Sequence, residues 1–255
     1  MLPPDPRERP HLHELTFHLQ PVVDLATGHI DGLEALVRWP KPDGTVRGPA
    51  DFLDPILHGD GLDAFTRYGV AALGDLLASH PTAPPLHLNL SPVQLALPST
   101  SRRLRALRPE IRRRLRVELT EQRIPDLSSY AASVTYLAQL GIEVLLDDVR
   151  PADLPVRFPR NLRVAGIKLD RSVVEDVLLA PWGASGRAVR RLAEAGMRLT
   201  AEGIEDPAVV PNLRALGIAL GQGFGLCRPQ RDLDAALAPH ALARDEARRS
   251  RDAGV

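Results

Sequence analysis

The sequence predicts an α/β fold: a closed barrel of mostly parallel strands that opens with an antiparallel hairpin. Three observations point there. Strand-length apolar runs alternate with segments of helical period along most of the chain. The first two runs are joined by a short turn, which makes them an antiparallel hairpin. The later runs end in acids, amides or a lysine, where a buried strand would otherwise end in apolar or turn residues. Length agrees, since 255 residues suit one barrel and suffice to bury a large core.

The elements follow in order. The hairpin joins residues 17–25 to 32–39 across Ala26, Thr27, Gly28 and His29. Helical material is expected over 49–80. Gly59 and Gly61 end its first part, and its second part, 63–79, carries an apolar stripe through Phe65, Val70, Leu73, Leu76 and Leu77. Strand 86–90 is followed by an Arg-rich helical stretch, 92–113. Strand 115–119, a helix over 128–140 stopped by Gly141, strand 142–146 and an irregular stretch, 149–161, come next. Strand 164–169 leads into helical residues 173–195, broken near Pro181. Strand 198–201, a helix over 207–216 stopped by Gly217, and a last strand beginning near Ile218 complete the pattern. Helices between strands require parallel crossovers. The barrel is expected over 15–240, behind an N-terminal extension, 1–14, and ahead of a charged tail, 241–255.

Composition narrows the function classes. Lys plus Arg and Asp plus Glu number 32 each, so no bulk attraction to duplex nucleic acid is expected. The arginines between 102 and 116 spread around a helix with Glu110 among them and read as a solvated face. The single cysteine, Cys227, excludes an intramolecular disulfide and a zinc spacing, and reads as packing in a reducing compartment. The first ten residues lack the apolar core of a signal peptide, and no run is long enough to cross a membrane. The expectation is a cytoplasmic protein.

The strand ends carry the chemistry. Glu34 lies in the second strand and Asn89 ends the third. Glu118 is in the fourth, with Glu121 just beyond. Asp147 and Asp148 end the fifth, Lys168 and Asp170 the sixth, Glu202 and Glu205 the seventh, and Gln222 lies in the last. In a parallel barrel these positions converge on one mouth. Carboxylates so crowded repel one another unless cations sit among them. Their hard oxygens select Mg2+, Mn2+ or Ca2+, ions that polarise a phosphoryl oxygen and generate hydroxide at neutral pH.

Side-chain alternation adds detail. Glu34 and Arg38 share one strand face, while Leu33, Ala35 and Val37 take the other, toward the helices. Arg38 is then placed to reach a phosphate. Asp147 and Asp148 would face opposite ways in a regular strand, so both join the site only if the chain turns there. Glu205 has a second reading, as an acid at a helix N-terminus ahead of Pro207. His11, His13 and His18 have no acidic companions and read as surface or strand residues. Trp39 and Phe224 either stack on a base or pack in the core or rim.

These residues stand in motifs that resemble the EAL domain family of cyclic di-GMP phosphodiesterases. The motifs are Glu34-Ala35-Leu36 within Glu-Ala-Leu-Val-Arg-Trp, Leu19-Gln20-Pro21 with Val22-Val23-Asp24 and Thr27-Gly28 upstream, and Asn89-Leu90-Ser91 downstream. Glu118-Leu119-Thr120-Glu121, Asp147-Asp148, Lys168-Leu169-Asp170-Arg171-Ser172, Ala201-Glu202-Gly203-Ile204-Glu205 and Gln222-Gly223-Phe224 keep family order. The resemblance runs from about residue 15 to about residue 237. It implies a modified (β/α)8 TIM-like barrel with one antiparallel strand, and hydrolysis of cyclic di-GMP to linear pGpG with one or two Mg2+ or Mn2+ ions. By resemblance, Glu34, Asn89, Glu118 and Asp147 ligate one metal, and Asp147 bridges to a second beside Asp148 and Glu202. Lys168 acts on the attacking water, with Glu202 and Glu205 in the catalytic network. Gln20, Arg38 and Gln222 hold substrate, Gln222 also supporting the water and metal network, and Glu121 steadies a loop. The resemblance also implies a homodimer. The family's Phe-Gly-Thr-Gly after the paired Asp is replaced here by Val149-Arg150-Pro151-Ala152, followed by Asp153-Leu154-Pro155. That loop supports an alternative reading, an EAL barrel that binds cyclic di-GMP or a protein without turnover.

Overall fold

The computed structural model describes residues 9–57, 60–119, 127–153, 164–238 and 242. The chain opens with β1 (Thr16–Asp24) and β2 (Ile30–Pro40), paired antiparallel with Gln20 opposite Glu34. The Asp24 carboxylate closes their turn by accepting from the backbone N–H groups of Ala26 and Thr27. Gly28 sits there at φ 68°, which glycine adopts without steric cost.

A two-residue strand, β3 (Val46–Arg47), extends the edge of β2. Then come β4 (Leu86–Leu90), β5 (Leu115–Leu119), β6 (Glu143–Val149), β7 (Gly166–Leu169), β8 (Arg198–Ala201) and β9 (Leu220–Gly221). From β2 through β4 to β9 each strand lies parallel to the next. The ring closes where β9 meets β1 antiparallel, giving an eight-strand barrel with one reversed strand and β3 outside it.

Alternation sorts the side chains of this ring into two environments. Leu33, Ala35, Leu86, Leu88, Leu90, Val117 and Leu199 face outward and pack under the surrounding helices, against residues such as Leu73 and Leu77 of the helix Asp60–Ser79. Fully burying an aliphatic side chain of this kind contributes about 1.5–3 kcal/mol. A smaller cluster of Leu15, Val37, Trp39, Phe52 and Ile56 covers the end of the hairpin. The interior of the barrel is more polar, with Val22, Leu145 and Leu220 as buried apolar residues among its charged and amide side chains. Its lower layer is an ion-pair floor: Arg116 reaches Asp31 at 2.5 Å and Glu143 at 2.8 Å, and Arg198 reaches Asp31 at 3.2 Å.

The expected strands are present, and the differences have physical causes. β3 is too short for any periodicity to show. The Arg-rich stretch is three helices, Pro92–Ala96, Pro98–Ala106 and Pro109–Arg112, each opened by a proline whose missing N–H has no partner to lose there. Arg116 corrects the solvated-face reading: it lies on β5, 8% exposed, inside the barrel. Gly61 does not end a helix but sits inside Asp60–Ser79. β6 runs on to Val149 instead of stopping at Leu146.

The interior leaves one glycine no freedom to change. A Cβ on Gly32 would stand 2.3 Å from Nε2 of His87 and 3.1 Å from a guanidinium nitrogen of Arg116. Gly32→Ala is therefore expected to destabilise the barrel by about 1–3 kcal/mol, as overpacking does. A urea unfolding midpoint equal to that of the unsubstituted chain would show that the interior yields freely at this point.

Candidate metal centre

Four carboxylates and one ammonium meet at the C-terminal ends of the parallel strands. Lys168 on β7 is 1% exposed. Its Nζ lies 3.1 Å from Glu34 Oε2, 3.0 Å from Glu118 Oε2, 3.0 Å from Asp147 Oδ1 and 2.7 Å from Glu202 Oε1. These acids come from β2, β5, β6 and the end of β8, so the ring closure itself assembles the cluster.

Neighbouring amides fix Glu34. Asn89 Nδ2 donates to Glu34 Oε1 at 2.8 Å, and Gln222 Nε2 donates to Glu34 Oε2 at 2.7 Å. Gln222 Nε2 also lies 3.0 Å from Gln20 Oε1, while Gln20 Nε2 donates to the Cys227 carbonyl at 3.1 Å. Gln20 and Gln222 thus tie the antiparallel strand and the last strand to Glu34.

A bulge brings in the paired aspartates. Between β6 and β7 the register passes from Leu146 opposite Ile167 to Val149 opposite Leu169, so β6 holds one extra residue. Asp148 occupies this bulge at φ 53°, the left-handed region that Asp tolerates better than most residues. The expected turn therefore takes place inside the strand. Glu34, Glu118 and Asp147 each offer an oxygen within 4.8 Å of the others, and so do Asp147, Asp148 and Glu202. Asp147 belongs to both groups.

Crowding shows in the acidities. Burial opposes the charge of Glu34, but the Lys168 ammonium and the two amides outweigh it and hold this carboxyl at about 2. Burial, reinforced by Glu34, pushes Glu118 well above the usual range. Burial likewise raises Asp147 against the pull of Lys168. Glu202 is raised to about 8 by burial, with Asp147 and Glu34 adding to the effect. Lys168 is buried, which alone would favour its neutral form, yet the four acids lift it well above an ordinary lysine. One ammonium does not balance four carboxylates, so the site takes up protons or cations.

The residues fit divalent metal ions. Asp147 Oδ1 is buried and, among the described residues, meets only Lys168 Nζ, at 3.0 Å. A carboxylate oxygen with that single contact has a lone pair left for a cation. The donor set is all oxygen, as Mg2+ or Mn2+ requires.

Other expected residues sort by position. Arg38 shares the inward face with Glu34 and is half-buried. Burial draws its pKa below the usual value against the opposing charge of Glu34, and its guanidinium donates to the Val37 carbonyl at 2.8 Å. Glu205 is not drawn into the cluster: it is exposed and pairs with Arg171 at 2.6 Å. Its reading as a helix-end acid passes to the next residue, because Asp206 caps the turn at Pro207–Val209. Asp170 caps the helix Arg171–Leu179. Trp39 is core, edge-on to Phe52, whereas Phe224 is exposed with Arg228 over its ring. Glu121, Leu154 and Pro155 lie outside the described residues.

A cavity of about 330 Å³ opens beside Glu34, Asn89, Asp147 and Asp148, with an apolar wall that includes Phe17, Leu36, Phe65 and Leu88. No helix among the described residues is long and apolar enough to cross a membrane.

His87 and Arg116 were not singled out from the sequence. The signal was present as parity. Gly32, His87 and Arg116 each stand two residues before a candidate ligand, Glu34, Asn89 and Glu118, and so point to the same inward side.

The family model for the EAL domain matches residues 6–229. The chain belongs to the EAL domain family. An Escherichia coli relative, named "Probable cyclic di-GMP phosphodiesterase PdeB", is 29% identical over 219 residues, which make up 83% of this chain and 42% of that protein. A Pseudomonas aeruginosa protein named as a cyclic di-GMP phosphodiesterase is 31% identical over 226 residues, 84% of this chain and 38% of that one. The chain thus spans less than half the length of these relatives. The solved structure described as "PaMucR Phosphodiesterase, c-di-GMP complex" is 25% identical with a TM-score of 0.66, covering 86% of this chain and 92% of that chain. Phosphodiesterases of the EAL family use divalent metal ions, and the buried acidic groups here stand where such ions could be held.

Protons and metal compete for the same oxygens. Glu202 is raised to about 8, so it is protonated below that pH and free to ligate above it. The rise in Tm produced by Mg2+ is therefore expected to grow between pH 6 and pH 8.5. Equal rises at both pH values would mean that the carboxylates are already ionised at pH 6.

Proposed function

We propose that this EAL barrel hydrolyses cyclic di-GMP to linear pGpG in a reaction that depends on Mg2+ or Mn2+. The observation that carries this reading is the pair of carboxylate groups sharing Asp147 at the barrel mouth, with Lys168 between them. The relatives named as cyclic di-GMP phosphodiesterases support the choice of substrate.

Each residue has a part. Glu34, Asn89, Glu118 and Asp147 would hold one ion, and Asp147, Asp148 and Glu202 a second. Ions bound there would supply neutralisation of phosphate charge and a lowered pKa for water. Lys168 keeps its proton under the field of the acids, so its ammonium orients the attacking water by donating to its oxygen. Arg38, which has guanidinium hydrogens beyond the one given to Val37, grips a phosphate. Gln20 and Gln222 keep Glu34 and the substrate side of the mouth in place. Glu205 at the rim steadies Arg171 and takes no direct part in ligation. Apolar atoms lining the cavity beside Glu34 exclude water from the reacting groups. A homodimer and a cytoplasmic setting complete the proposal, with no role for duplex nucleic acid or a membrane.

Purified chain incubated with cyclic di-GMP and Mn2+ is expected to yield pGpG on chromatography, and Glu34→Ala is expected to yield none. A Glu34→Ala variant turning over at the unsubstituted rate would remove Glu34 from the metal centre. Binding of cyclic di-GMP without product would make the protein a receptor. Arg38→Ala is expected to lower kcat/KM by about 10–100-fold, the scale of a lost charge-assisted hydrogen bond. An unchanged kcat/KM would show that Arg38 does not touch the substrate.

A further inference from the structure

His87 is a buried titratable group that the proposed reaction leaves unused. It lies on β4 two residues before Asn89 and is 1% exposed. Its Nδ1 stands 2.7 Å from Glu118 Oε1, and its Nε2 stands 3.1 Å from a guanidinium nitrogen of Arg116. A guanidinium only donates, so Nε2 is the acceptor. The imidazole proton is then on Nδ1 and is given to Glu118, a tautomer assigned from its partners.

Arg116 is held in turn. Its Nε donates to Glu143 at 2.8 Å and its NH1 donates to Asp31 at 2.5 Å. A continuous series of bonds therefore runs from the floor of the barrel, through Arg116 and His87, to Glu118. The space is shaped for it: a Cβ on Gly32 would stand 2.3 Å from His87 Nε2. One oxygen of Glu118 is thus committed to His87. Only Oε2, 3.0 Å from Lys168 Nζ, is turned toward the other acids.

We propose that His87, oriented by Arg116, is a positioning residue that fixes Glu118 as a one-oxygen ligand of the metal centre. This rests on the metal reading given above. A carboxylate free to rotate would chelate with both oxygens and fill a coordination place that water or phosphate needs. Locking Oε1 onto the imidazole would prevent this and leave Oε2, on the Lys168 side, for an ion. Partners that orient a ligand in this way change metal affinity by about 10–100-fold when removed.

The test uses the full chain and Mn2+ alone, with free Mn2+ counted by electron paramagnetic resonance. His87→Leu removes the donor at similar size. His87→Asn places an amide nitrogen near the position of Nδ1. The leucine variant is expected to bind Mn2+ about 10–100-fold more weakly, and the asparagine variant to recover most of that loss. A folded His87→Leu barrel with unchanged Mn2+ affinity overturns the proposal, as does an asparagine variant no better than leucine. Should the leucine variant fail to fold, 15N NMR of histidine-labelled, unsubstituted protein decides, with and without Mg2+. A protonated Nδ1 in both states supports the proposal, and a protonated Nε2 in either overturns it. Unsubstituted protein that binds no Mn2+ overturns the metal reading itself and this inference with it, a result separable from the variants.

Discussion

A closed barrel sends every second residue of each strand into one narrow space, and whatever charge enters that space must be balanced there. Here the balance hangs on Lys168. Its ammonium is the common neighbour of Glu34, Glu118, Asp147 and Glu202, which arrive from four separate strands. Without that cation the four acids would repel in a medium that screens them poorly. With it alone they remain over-supplied with negative charge, which adds to the burial that makes Glu118, Asp147 and Glu202 favour protons. The same excess makes the mouth receptive to divalent ions. Fold and chemistry are therefore set by one arrangement: the outward residues build the core, and the inward residues build an unsatisfied cluster.

Much of this was legible because it rests on period and parity. The hairpin, the strands at Leu86–Leu90, Leu115–Leu119 and Arg198–Ala201, and the break near Pro181 all follow from apolar runs and turn residues. Glu34, Asn89, Glu118, Asp147, Lys168 and Glu202 stood out because polar residues at strand ends need a reason. What remained hidden depends on contacts between distant strands. Arg116 looked like one more arginine in a basic run, and only its pairing with Asp31 and Glu143 reveals it as interior. His87 looked like an ordinary strand residue until Glu118 and Arg116 were seen on either side of it. Glu205 sat in the right motif, yet its ion pair with Arg171 holds it at the exposed rim.

The stretch after the paired aspartates is tied together by its own residues. The family glycines are absent, but the described part forms a turn: the Asp153 N–H donates to the Arg150 carbonyl at 2.9 Å, and the Asp153 carboxylate accepts from the Arg150 N–H at 3.0 Å. Val149 is fully buried and pairs with Leu169, which anchors the strand end just past the bulge. Among the described non-glycine residues only Asp148 has a positive φ, 53°, and this bulge brings two successive acids to one mouth.

The ion-pair floor of Arg116, Arg198, Asp31 and Glu143 has a consequence for traffic. Among the described residues these ion pairs lie below the carboxylates, with His87 wedged against Gly32 above them. They put charged, paired side chains at the end of the barrel opposite the carboxylates, so an ion bound by the carboxylates would arrive by the C-terminal rim. On the reading proposed above, loading and release would then share one route.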